Sequence, residues 1–200
     1  MTKTMERTAV YGHWHNDPAS QFNHSNLFHH EMIVDAQQFV NYWQRCSLSS
    51  DFWSQYTALF MPPKALSGWL NKNAVEGVLS YLLNELFENC AKFSSGPVSK
   101  VHYQSWIGKE KMIFQLTNHT SPKATKIFIK FITYLLENNP EKLYFQKLEN
   151  NIQHGNNGAG LGFLTLINDY GIQFGYKFDL INSETVQVDV QAYLSLQEIE

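Results

Sequence analysis

Gly155-Asn156-Asn157-Gly158-Ala159-Gly160-Leu161-Gly162, followed by the apolar run Phe163-Leu164-Thr165-Leu166-Ile167, is the stretch on which the reading of this chain turns. Glycines at the alternate positions 158, 160 and 162 free the backbone for positive φ and let a bulky ligand approach the main chain. The run behind them has helical spacing, so the glycines stand where a helix begins. A helix start offers unpaired N–H groups and a partial positive charge, which together suit a phosphate. Two readings follow: a nucleotide-phosphate cradle, or a flexible loop before a buried helix.

The rest of the chain narrows the choice. Its 200 residues fit one domain with or without a tail, and 44% hydrophobic content with 14% aromatics excludes global disorder. A net charge of -3 gives no electrostatic footprint for nucleic acid. Cys46 and Cys90 lie far apart with no paired-ligand spacing, which suits a reducing compartment. No apolar run approaches the roughly 20 residues that span a bilayer, and the first residues lack a signal-peptide core. The expectation is a soluble cytoplasmic protein without membrane or nucleic-acid partners.

Residues 1–25 are polar and irregular and read as an extended arm, with 26–200 as the folded domain. A second copy of the chain is a candidate docking partner for this arm. The arm carries His13, His15 and His24, with His29 and His30 beyond. His-x-His can bind a metal when strand geometry converges the rings, but no Cys or acidic ligand stands at a matching distance, so these read as surface and edge histidines.

Leu27–Ala36 reads as a strand, and Phe39, Val40 and Trp43 as a helix closed by Ser47–Ser50. Asp51–Phe60 has aromatics at helical spacing, ended by Met61-Pro62-Pro63. Asn73–Phe93 predicts a long helix whose face is Val75, Val78, Leu79, Leu82, Leu83, Leu86 and Phe87. Glu85, Asn89 and Lys92 share a second, polar stripe. A carboxylate, a carboxamide and an ammonium in a row suit orienting a hydroxyl, ligating Mg²⁺ and holding a phosphate; they equally suit a solvated face. Lys100–Ile107 and Lys111–Leu116 form a hairpin, and Thr117–Pro122 a polar break. Helices are expected over Lys123–Glu137, Pro140–Ile152 and Gly160–Asp169, then a hairpin from Phe174–Leu180 and Val186–Leu196 with Asn182-Ser183 in its turn. The outline predicts an α+β, two-layer sandwich: a mixed, mostly antiparallel sheet of about five strands with helices on one face.

Asn84-Glu85-Leu86-Phe87-Glu88-Asn89-Cys90-Ala91-Lys92-Phe93-Ser94 and Gly158-Ala159-Gly160-Leu161-Gly162 together resemble the N box and second glycine box of the histidine-kinase-like (GHKL) ATPases. That superfamily includes gyrase, sensor histidine kinases and anti-sigma-factor serine kinases. More narrowly, the chain looks like an uncharacterised cyanobacterial family related to SiaB-type protein kinases. The likeness covers residues 27–196, in the order N box, strand, variable lid, glycine box, closing strands.

The resemblance implies ATP and Mg²⁺ as cofactors. It puts Asn89 at the Mg²⁺-binding asparagine, Glu85 at the general base, Lys92 at a phosphate-contacting position, and Gly158, Gly160, Leu161 and Gly162 in the loop over the triphosphate. It also implies a STAS-domain or SiaC-like protein partner. Where the superfamily carries Asp-x-Gly-x-Gly, this chain reads Leu116-Thr117-Asn118-His119-Thr120-Ser121-Pro122; Asn118 is the residue able to accept from the adenine amine. His30-Glu31 is the nearest match to a phospho-acceptor motif, without its Arg and Pro, so histidine autophosphorylation is not expected. Three functions remain open: a Ser/Thr protein kinase, a module that sequesters a regulatory partner, and a structural domain with a decayed site.

Overall fold

The computed structural model describes residues 7–23, 27–36, 44–61, 72–94, 100–154 and 161–196. Along the chain these form β1 (Thr8–Gly12), a 3-10 turn (Pro18–Gln21), β2 (Phe28–Asp35), α1 (Gln44–Ala58) and α2 (Lys72–Phe93). β3 (Lys100–Ile107), β4 (Lys111–Thr120), α3 (Pro122–Glu137), α4 (Pro140–His154), α5 (Gly162–Tyr170), β5 (Gln173–Leu180) and β6 (Val186–Ser195) follow.

Period-two alternation sets the sheet's two faces. Met112, Phe114 and Leu116 of β4, Val188 and Ala192 of β6, and Phe174 and Phe178 of β5 enter the main core. There they meet the apolar face of α2, including Leu79, Leu82, Leu83 and Phe87, and contributions from α1, α3, α4 and α5. Each such Leu or Phe removed from water contributes about 1.5–3 kcal/mol before entropy is counted. The intervening residues face the other way, where Trp106, Ile113 and Tyr193 make a smaller cluster against Ala19, Phe22 and Leu27.

The strand order is β1-β5-β6-β4-β3-β2, and all five ladders are antiparallel. The α+β class and antiparallel character match the expectation, while the sheet is neither mixed nor five-stranded. The sixth strand comes from the expected arm: Thr8–Gly12 pairs with β5, Tyr11 opposite Tyr176. Its alternation is too short to stand out in the sequence, and β5 supplies the hydrogen bonds that fix it.

Two other expected breaks are not breaks. Ser47–Ser50 lies inside α1, where Ser50 Oγ donates to the Cys46 carbonyl one turn back at 2.7 Å. Thr117–Thr120 continues β4, paired with β6 from Thr117↔Asp189 to Thr120↔Val186. Polar residues remain in strand there because the neighbouring strand bonds their backbone. The helix expected at Phe39–Trp43 lies outside the described residues. The helices at 72–93, 122–137 and 140–154 and both hairpins fall where periodicity put them. Among the described residues, no helix is long and apolar enough to cross a membrane.

Candidate functional site

α2 runs unbroken for 22 residues, so Glu85 and Asn89 sit one turn apart above the sheet. α5 packs across it. Its C-terminus is closed by Gly171 at φ 63°, whose N–H reaches the Ile167 carbonyl, while Ile172 N–H reaches that of Leu166. Its N-terminus has no side-chain cap: Leu161, half-buried at the N-cap, is in helical conformation. Instead the Glu85 carboxylate packs directly on Gly162, the first residue of the helix, and a Cβ added there would overlap it. A carboxylate at a helix N-terminus is electrostatically favourable. Burial, and next the nearby Glu88 charge, still hold the Glu85 pKa above the usual glutamate range, with Lys92 opposing them.

One turn further on, Asn89 lines a cavity of about 30 Å³ between α2, α3, α5 and the sheet. Asn118 and Thr120 of β4 line it from below, and Phe93, Phe128 and Phe163 wall its sides. Asn118 is 5% exposed and donates from Nδ2 to Ser94 Oγ at 3.0 Å, leaving Oδ1 to accept. Thr120 Oγ1 is buried with no partner among the described residues. Such an orphan is costly unless a ligand or water completes it. The cavity's volume suits a water-sized guest.

The polar stripe therefore diverges. Glu85 meets Gly162, Asn89 meets Asn118 across the cavity, and Lys92 turns outward to Glu88 Oε2 at 3.3 Å, 62% exposed. Asn84 Nδ2 holds the other oxygen of Glu88 at 2.9 Å. Lys92 is thus engaged in an ordinary surface i,i+4 pair, worth ~0.3–0.5 kcal/mol, rather than aimed at the cavity. Gly158 and Gly160 lie outside the described residues. Thr120 was not singled out in the sequence; its alternation with Asn118 on one strand face was the available signal. His30 stands in β2 against Tyr56 and Phe60, with Nε2 buried.

A magnesium ion prefers oxygen ligands and keeps several waters, so one carboxamide beside phosphate oxygens suffices. The Asn89 carboxamide oxygen is a donor of that type, on the wall of a cavity that holds one water-sized guest. No family model matches the chain, and neither a curated protein nor a solved structure matches it.

Proposed function

We propose that this chain is a cytoplasmic, nucleotide-binding regulatory protein of the histidine-kinase-like ATPase type, acting as a Ser/Thr protein kinase on a STAS-domain or SiaC-like partner. The observation that supports the reading is that Asn89, Asn118 and the orphaned Thr120 hydroxyl line one cavity, which at about 30 Å³ must widen to admit a nucleotide. The cavity lies one helical turn from a carboxylate at the start of the helix that follows the glycines.

In this reading Asn118 Oδ1 would accept from the adenine amine, and Asn89 would hold Mg²⁺. The ion, when bound, neutralises charge on the transferring phosphoryl group. Glu85, its pKa raised by burial, would take the proton of the attacking hydroxyl. Calorimetric titration with ATP and ADP, with and without Mg²⁺, tests it. Magnesium-dependent binding that Asn89→Ala removes is the expected result; silence at millimolar nucleotide overturns it.

A second reading is a module that sequesters its partner, with nucleotide as a conformational ligand or absent. It is favoured by the water-sized cavity and by the engagement of Lys92 with Glu88. Partner affinity that survives Asn89→Ala, with no transfer of the γ-phosphate, would select it.

A further inference from the structure

On the sheet face opposite the cavity, the chain leaves β1 at Gly12 and crosses over Gly175, whose missing side chain makes room for the His13 carbonyl. On that crossing the rings of His13 and His15 meet. Their Nε2 atoms are 3.2 Å apart, with centroids 4.8 Å apart and planes at 81°.

Two arrangements bring imidazole nitrogens this close. In a head-on N–H···N hydrogen bond the rings lie end to end, and this nitrogen separation puts their centroids about 5.5 Å apart. Where both lone pairs converge on one cation at the ~2.05 Å of a zinc–imidazole bond, the centroids come about 5.0 Å apart and the N–metal–N angle is about 103°, near tetrahedral. The observed 4.8 Å is shorter than the head-on value and close to the convergent one, and the contact also meets the geometry of a bent N–H···N bond.

The backbone under the pair is pinned. His13 N–H donates to the Phe174 carbonyl at 2.8 Å. Gln191, fully buried, accepts from His15 N–H at 3.0 Å and donates to the His15 carbonyl at 2.9 Å. The Tyr193 ring stands edge-on to both imidazoles, at 4.6 and 5.4 Å. The rings are therefore held together before any ligand arrives, which lowers the ordering cost of binding.

We propose that His13 and His15 form a two-imidazole site for a divalent cation of borderline softness, Zn²⁺, Ni²⁺ or Cu²⁺, bound through both Nε2 atoms. Imidazole suits these metals, and water completes the coordination. Among the described residues no third His, Cys, Asp or Glu joins the pair. The Lys111 charge opposes a cation and limits affinity. Cys46 and Cys90 are buried and do not compete.

Titration of the full chain with Zn²⁺ alone, followed by calorimetry, tests the site. One ion per chain is expected, with affinity falling at least about tenfold in His13→Ala and in His15→Ala. His102→Ala, on the same sheet face, should bind as the wild type does. Electron paramagnetic resonance of the Cu²⁺-loaded chain should show two imidazole nitrogens. No binding at millimolar Zn²⁺, undiminished affinity in the His13→Ala/His15→Ala double variant, or fewer than two nitrogens on copper would each overturn the proposal.

Discussion

The Glu85 carboxylate occupies the space that a side chain at residue 162 would fill. Gly162 has no positive φ, so it is not conserving an unusual backbone angle; positive φ among the described glycines belongs to Gly12 and Gly171. What this position requires is the absence of a Cβ, so that a carboxylate from α2 can seat against the first turn of α5.

That relationship predicts a coupling. Gly162→Ala alone should destabilise the chain, because the Glu85 side chain must swing away from α5. In a Glu85→Ala background the same change should be neutral or stabilising, since Ala is the better helix residue by up to ~1 kcal/mol. A double-mutant cycle by urea denaturation should return an interaction energy of about 1 kcal/mol or more; additivity would show that the two residues are not in contact.

The raised Glu85 pKa has a defined consequence for stability. A carboxyl whose folded pKa lies above its unfolded value binds more protons in the folded state between the two. Stability from this group therefore falls as pH rises through that window and stays low above it. Glu85→Gln should remove this dependence, so its stability relative to wild type should be higher at pH 7.5 than at pH 4.5. Urea midpoints at the two pH values give the comparison.

Gly175→Ala meets backbone rather than a flexible side-chain end: the new Cβ would overlap the His13 carbonyl and come 2.9 Å from Trp14 Cα. A loss of about 2–3 kcal/mol is expected, with faster hydrogen exchange at the β1 amides. Gly77→Ala is the contrast. It lies within α2 with nothing within 4 Å of its Cβ, and should stabilise by about 0.5–1 kcal/mol.

Asn118→Asp restores the acid that the resemblance leads one to expect at this position. The buried carboxylate should cost about 1–3 kcal/mol of stability at pH 7. Under the proposed function it should also tighten ATP binding by about tenfold, the worth of one hydrogen bond becoming charge-assisted. Calorimetry beside a denaturation curve separates the two effects.

Much of the fold is legible in the sequence. Val75 to Phe87 carry a helical apolar face strong enough to define α2 by itself, and the β3–β4 and β5–β6 hairpins announce themselves by alternation and by turn residues such as Asn182. The stretch Thr117–Thr120 was misleading because its polar side chains are tolerated by a strand whose partner, β6, lies about 70 residues away. Thr8–Gly12 was missed for the same reason, its partner lying in β5.

At the site, spacing put Glu85, Asn89 and Lys92 on one stripe, but a stripe has width. Which neighbour each side chain meets depends on what packs above it: α5 for Glu85, the cavity for Asn89, and solvent with Glu88 for Lys92. Local periodicity is written in the order of residues along the chain, so the sequence by itself determined α2, α3, α4, the hairpins and the apolar faces, but not the continuity of α1 through Ser47–Ser50. Pairing between distant segments is selected by packing and backbone hydrogen bonding once those faces meet. Only the tertiary structure could decide the sixth strand, the orphaned Thr120 hydroxyl, the carboxylate at the start of α5 and the converging imidazoles of His13 and His15.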